Sequence, residues 1–243
     1  MKRFLFITIF LSINTLLVFC VGGDKQKLKL VSEYKLKAPE PSGLALTKDG
    51  KHLWIVSDHN STVYLIALNG KIENKFVVNA EDLEGVAVVN DSTIAIISER
   101  SGEILLMKKS GIEITRKKLY FDGKNNLGPE GIAFNPKNKR YFVVKEKNPE
   151  ILIELDENFK VVKRTNINFA DDLSGLDFSL ASNTLWIISD ESKMIAKCSI
   201  DGVVLEKYKV RIDQIEGVAV DEVNKKIYIV SDKEEKLYVF EIE

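Results

Sequence analysis

Three glutamates and two serines occupy one recurring position in this chain. Ser42, Glu84, Glu130, Ser174 and Glu216 each stand directly before a glycine that opens an apolar run, as in Leu83-Glu-Gly-Val-Ala-Val and Pro129-Glu-Gly-Ile-Ala-Phe. A second acidic set, Asp58, Glu99, Glu146, Asp190 and Asp232, closes the apolar run that follows. If the fold gathers equivalent positions around one axis, Glu84, Glu130 and Glu216 repel one another, and either raised pKa values or a bound cation must relieve the repulsion. A hard divalent ion suits such a set, because calcium takes about six to eight oxygen ligands and the chain offers oxygen almost exclusively. With only His52, His59 and Cys198 as nitrogen or sulfur donors beyond the N-terminal segment, a zinc site is disfavoured.

The residues alone leave a blander reading open, in which the three glutamates cap nearby backbone amides in a solvated channel. In the second set, a serine-acid pair at a strand end commonly satisfies turn amides. Glu99 and Glu146 depart from the plain Ser-Asp form of the other units and are kept as second-rank ligands. Arg100, Lys145 and Lys147 lie beside these acids and either neutralise them, the preferred reading, or attract an anionic ligand such as phosphate or a carboxylate. His59, next to Asp58, could serve as a base in a lactonase or phosphatase mechanism, although a lone histidine in a turn is more often inert. No Gly-x-Ser-x-Gly elbow, His-Glu-x-x-His pair or phosphate-binding glycine loop is present.

The elements that must position these residues follow from the repeat. The shared glycines, Gly43, Gly85, Gly131, Gly175 and Gly217, are separated by 42, 46, 44 and 42 residues, a period typical of repeat architectures. Each unit holds four short runs rich in β-branched and aromatic residues. Turn residues separate them: Asp49-Gly50, Asn69-Gly70, Ser110-Gly111, Asn135-Pro136 and Asp201-Gly202. Runs such as Trp54-Ile-Val and Tyr141-Phe-Val-Val are continuously apolar and read as strands covered on both faces. Four-stranded antiparallel units at this spacing predict an all-β, five-bladed β-propeller. The last unit ends on its third strand at Tyr238–Glu243, so the N-terminal run Lys27–Leu36 is expected to supply the missing outer strand and close the ring.

The ends of the chain bear on location. Met1–Phe19 carries Lys2 and Arg3 and then apolar residues without an acid, the layout of an export signal. Residues 1–23 are therefore expected to be a signal peptide or N-terminal membrane anchor, and residues 24–243 the propeller. Leu17-Val-Phe-Cys20 resembles a lipoprotein signal, although Phe19 stands where a small residue is usual; secretion after cleavage near Gly22 and Gly23, or an uncleaved anchor, are the other two routes. The formal charge of −1 gives no sign of nucleic acid as a partner. With Cys20 modified or removed, Cys198 is a single thiol and no internal disulfide forms.

These motifs resemble the SdiA-regulated family, also called the YjiK/CarP family, of bacterial propellers related to NHL-repeat proteins. The resemblance is carried by Asp82-Leu-Glu-Gly85 with Ile97-Ser-Glu-Arg100, Gly128-Pro-Glu-Gly131 with Lys145-Glu-Lys-Asn-Pro149, Asp172-Leu-Ser-Gly175 with Ser189-Asp-Glu-Ser192, and Ile215-Glu-Gly217 with Val230-Ser-Asp232. It implies a five-bladed propeller, a cell-envelope location, a bound calcium ion and a role in calcium homeostasis or as a platform for a protein partner. A calcium-dependent phosphoesterase or lactonase is the alternative. If Cys20 carries the anchor, Cys20→Ser shifts the protein from the membrane fraction to the soluble or unprocessed pool, read by fractionation and intact mass; unchanged fractionation and mass count against lipidation.

Overall fold

The computed structural model describes residues 27–119 and 128–243. The signal or anchor segment, with Cys20, lies outside the described residues. Within them, twenty strands form five four-stranded antiparallel sheets and no helix occurs. After β1 (Leu28–Lys35), blade 1 runs β2 (Pro41–Leu46), β3 (His52–Ser57), β4 (Thr62–Ala67) and β5 (Ile72–Val77). Blade 2 is β6 (Leu83–Val88), β7 (Thr93–Ser98), β8 (Glu103–Lys108) and β9 (Glu113–Lys118). Blade 3 is β10 (Pro129–Asn135), β11 (Arg140–Lys145), β12 (Ile151–Leu155) and β13 (Val161–Asn166). Blade 4 is β14 (Gly175–Ser179), β15 (Thr184–Ser189), β16 (Met194–Ser199) and β17 (Val204–Lys209). Blade 5 is β18 (Ile215–Asp221), β19 (Lys226–Ser231) and β20 (Lys236–Ile242), and β1 is its outer strand.

The expected closure is present over the whole N-terminal run. Leu28 faces Ile242 and Lys35 faces Lys236, and bonds from Glu243 N to the Lys27 carbonyl and from Leu36 N to the Glu235 carbonyl extend the pairing at both ends. The chain thus joins its first and last strands in one sheet and seals the ring. The outer edges of the blades stay open to solvent, and there sequences such as Glu-Ile-Thr-Arg-Lys-Lys of β9 carry the charges that discourage edge-to-edge pairing.

The apolar side chains form five wedges between blades. One joins Trp54, Val56 and Val63 of blade 1 to Val86, Ile94 and Ile96 of blade 2; another joins Tyr228, Val230 and Leu237 of blade 5 to Leu44, Leu53 and Ile55 of blade 1. This is why the second strands are apolar without alternation: β7 and β15 are buried at every residue because each face meets a different blade. At the blade tips Gly50, Gly70, Gly111 and Gly202 adopt positive φ, as the turn dipeptides predicted.

The shared glycines have a different task. A Cβ on Gly85 would lie 2.6 Å from the Glu130 carbonyl oxygen, and one on Gly131 would lie 2.7 Å from the Leu176 amide nitrogen. Gly43, Gly175 and Gly217 would likewise collide with the carbonyls of Glu84, Glu216 and Ser42. Each innermost strand therefore presses its glycine on the backbone of the next blade, around the full circle. With Leu44, Val86, Ile132, Leu176 and Val218 filling the centre, this waist leaves no space for a water molecule. The expected channel is in fact two funnels set back to back. Gly85→Ala should cost about 3 kcal/mol or more, since its new methyl meets rigid backbone, not a movable side chain; a urea midpoint unchanged from the parent would show that the waist tolerates it.

Candidate functional site

One of the two funnels is acidic. It encloses about 420 Å³ and is lined by Ser42, Glu84, Glu130, Ser174 and Glu216 from the innermost strands and by Asp58, Glu99, Glu146, Asp190 and Asp232 from the ends of the second strands, together with Asp172, Glu191 and Gln214. Both sets of positions singled out from the sequence thus meet in one cavity. They do so because the innermost strand enters each blade beside the axis and the second strand returns antiparallel to the same end, as Pro41 opposite Ser57 and Ile215 opposite Ser231 illustrate.

The serines that precede the second-ring acids tie each second strand to the segment that leads into its own blade. Ser57, Ser98 and Ser231 donate at 2.6 Å to the carbonyls of Pro39, Glu81 and Asp213, and Ser189 donates to the Asp172 carboxylate. In blade 3 the buried Lys145 takes this position, and its ammonium bonds the carbonyls of Lys147 and Pro149. Lys145 thus secures a loop, whereas the two other neighbouring cations pair with acids: Lys147 lies 2.7 Å from Glu146 and 3.0 Å from Glu191, and Arg100 lies 3.3 Å from Asp82 and 3.2 Å from Glu81. His59 is exposed and sits 3.3 Å from Glu40; it does not line the funnel.

The acids divide by how their charge is met. Asp172 accepts from Ser174, Ser189 and the amides of Asp190 and Glu191 and is a structural group. Asp190 receives Lys193 at 2.7 Å and the Ile215 amide at 3.1 Å. Of the five candidate ligands, Glu146 is occupied by Lys147, Glu99 accepts the Gly128 amide at 2.9 Å, and Glu84 accepts the Ser42 hydroxyl at 2.5 Å. Glu130, only 8 % exposed, and Glu216 have no hydrogen-bond donor or cation among the described residues. None of Glu84, Glu130 and Glu216 accepts a backbone amide among the described residues, so the amide-capping reading does not describe them; of the five candidates Glu99 accepts one.

Near Glu84 the structure makes an association that the repeat did not reveal. Carboxylate oxygens of Asp58, Asp82 and Glu84 lie within 4.8 Å of one another, an arrangement able to hold a metal ion. Asp58 Oδ1 is buried and has no hydrogen-bond partner. Asp82, in the turn before β6, enters through a left-handed backbone with φ of 60°. The available sequence signal was the acid two residues ahead of Glu84, which blades 3 and 5 lack.

Burial and mutual repulsion raise the carboxyls. Desolvation, followed by charges such as Asp232 and Glu40, lifts Asp58 to about 6. Glu84 is pushed up to about 8 by desolvation, offset in part by Ser42 and reinforced by Asp58 and Glu99. Desolvation and the Glu84 and Asp190 charges carry Glu216 to about 9, and Glu130 is raised strongly by desolvation and the Glu84 charge.

The sign of the linkage is fixed by these directions. Groups ordinarily near 4.5 but raised to about 8 and 9 in the fold bind more protons folded than unfolded, so they favour the folded state at low pH and lose that contribution as pH climbs. In chelator, the melting temperature should fall by several degrees between pH 5 and pH 9, and Glu84→Gln with Glu216→Gln should flatten the slope; a parent whose melting temperature rises over this range contradicts the assignment.

A family model described as SdiA-regulated matches residues 31–241. Among solved structures, a streptogramin B lyase aligns with a TM-score of 0.52 at 16 % identity, over 88 % of this chain and 72 % of that one. A nidogen/laminin complex aligns at 0.58 and 18 % identity, over 81 % and 73 %, and a luciferin-regenerating enzyme at 0.56 and 12 %, over 89 % and 95 %. At these identities the likeness is one of fold.

Proposed function

We propose that this protein, which belongs to the SdiA-regulated family, is a calcium-binding propeller of the cell envelope that acts by binding rather than by turnover. One observation carries the reading: Asp58 Oδ1 is buried without a partner beside Asp82 and Glu84, in a funnel where no cation of the described residues reaches Asp58, Glu84, Glu130 or Glu216. A divalent ion there would accept the orphaned oxygen, offset the repulsion and displace the protons that raised pKa values retain. The donor set favours calcium because it is made of carboxylates, two serine hydroxyls and one amide, with no imidazole or thiolate. Asp58, Asp82 and Glu84 would hold the ion, with Glu130 and Glu216 as the nearest uncompensated charges across the funnel. Metal-dependent hydrolysis is the alternative reading, for which the raised carboxyls of Asp58 and Glu84 are the groups able to move a proton.

Attachment through residues 1–23 would place the funnel outside the cytoplasm, where calcium is abundant. The loaded ring would serve calcium homeostasis or a protein partner. Calorimetric titration of the chelator-treated protein should show submillimolar calcium binding, and the melting temperature should rise with calcium by mass action. Asp58→Asn and Glu130→Gln should each weaken the titration about tenfold or more, the loss of one charged ligand or one nearby charge. Absence of binding below millimolar calcium, with unchanged melting, would remove this reading.

A further inference from the structure

The funnel on the other side of the waist has the opposite character. It encloses about 720 Å³, within the range of about 300–1,000 Å³ usual for small-molecule sites. Leu46, Val88, Phe134, Phe178 and Val220 line it, and each stands three residues after its shared glycine. One set of strands thus presents carboxylates at one end and a ring of apolar side chains at the other.

Two features break the five-fold regularity, and both fall on blades 4 and 5. The residue two after the glycine is alanine in four blades, Ala45, Ala87, Ala133 and Ala219, but aspartate in the fourth, Asp177. Its oxygens accept the Phe178 amide at 2.8 Å and the Val220 amide at 2.7 Å, which staples β14 to β18 and still leaves each oxygen further acceptor capacity in the cavity wall. Beside it, two turns that elsewhere carry polar residues hold Leu180 and Val223, 49 % and 81 % exposed. The charge around the cavity is mostly negative: Asp49, Asp177 and Asp221 stand against Lys48, which pairs with Asp91 at 3.2 Å, while Glu222 is met by Lys197 at 2.7 Å.

The geometry points to this second funnel as a binding site for a small organic cation with an apolar body, its ammonium against Asp177 and its hydrocarbon against the Phe134–Phe178 side and the Leu180 and Val223 rim. An apolar bowl with a carboxylate in its wall selects such an amphiphile over a neutral one, because the cation adds a charge-assisted contact to the apolar burial that both share. Burial lifts the Asp177 carboxyl to about 7, so an adjacent cation would hold it ionised. The site is separate from the acidic funnel across a closed waist and does not depend on calcium being bound there.

The test uses the full chain at pH 8 with excess calcium, so that the acidic funnel is saturated, and two probes of one shape: 1-naphthylmethylammonium and neutral 1-naphthylmethanol, titrated by calorimetry. The ammonium should bind about tenfold more tightly than the alcohol, the worth of one charge-assisted hydrogen bond. The exposed pair Leu180→Lys with Val223→Lys, which leaves the core untouched, should abolish that preference, as should Asp177→Asn where it folds. Glu130→Gln on the far side should leave it intact. Equal binding of the two probes, no effect of the rim lysines, or loss of binding in Glu130→Gln would overturn the assignment. So would concentration-dependent self-association that the rim lysines abolish, which would give the bowl to a second copy of the chain.

Discussion

The whole molecule hangs on the contact of five innermost strands around an axis, where each shared glycine lets the backbone of the next blade come close. Sheets pack face to face at about 10 Å when side chains separate them, and five such sheets would leave an open bore. Here the shared glycines remove the separator at one level only, so the backbones of neighbouring blades touch there and the blades splay apart above and below. The wedge-shaped cores grow outward from that contact, which is why the same chain position must be glycine in every blade while the apolar residues around it vary among leucine, valine and isoleucine. Closure by β1 on β20 makes the contact a ring: Gly217 leans on Ser42 as Gly43 leans on Glu84.

A closed waist has a chemical consequence. The residue before each glycine is turned into one blind funnel and the third residue after it into another, so a single strand segment writes both surfaces. In the first funnel the carboxyls stand where water is scarce and no cation compensates most of them, a cost the fold carries as raised protonation at Glu84 and Glu216. A site that is strained when empty and relieved when filled is organised for its ligand in advance. The fold spends stability at the axis and recovers it in the five wedges, where β7 and β15 are buried throughout.

Much of this was legible in the sequence because it repeats. Five glycines at near-equal steps revealed the blade number, the unmatched N-terminal run revealed the closure, and equivalence by rotation placed both acidic sets in one cavity. What escaped was whatever is not repeated. Asp82 joins Asp58 across the boundary of two blades; its left-handed backbone recurs at the equivalent Glu40 and Gln214, and no periodicity reports which of these equivalent positions meets the acids of the neighbouring blade. The closed waist escaped too: the glycines were visible, but the clash a Cβ would make lies with a residue more than forty positions away. The roles of the lysines were divided for a similar reason, since Lys145 and Lys147 are near neighbours in sequence yet one anchors carbonyls and the other an acid.

The ring is therefore five-fold in backbone and asymmetric in charge, and the asymmetry decides where an ion can sit. Lysines meet Glu146, Glu191 and Asp190 on the side of blades 3 and 4, and Ser174 replaces a glutamate there. Unmet charge remains at Asp58, Glu84, Glu130 and Glu216, and it is densest beside blades 1 and 2, where Asp82, itself paired with Arg100, joins Asp58 and Glu84. An ion centred on the axis would face the lysine-buffered half as well as the bare one. Placed beside Asp58 it would meet the orphaned oxygen and the densest carboxylates, while Ser42, donating to Glu84, holds that glutamate in place. Rotational equivalence gathers the acids, and its local failure selects among them.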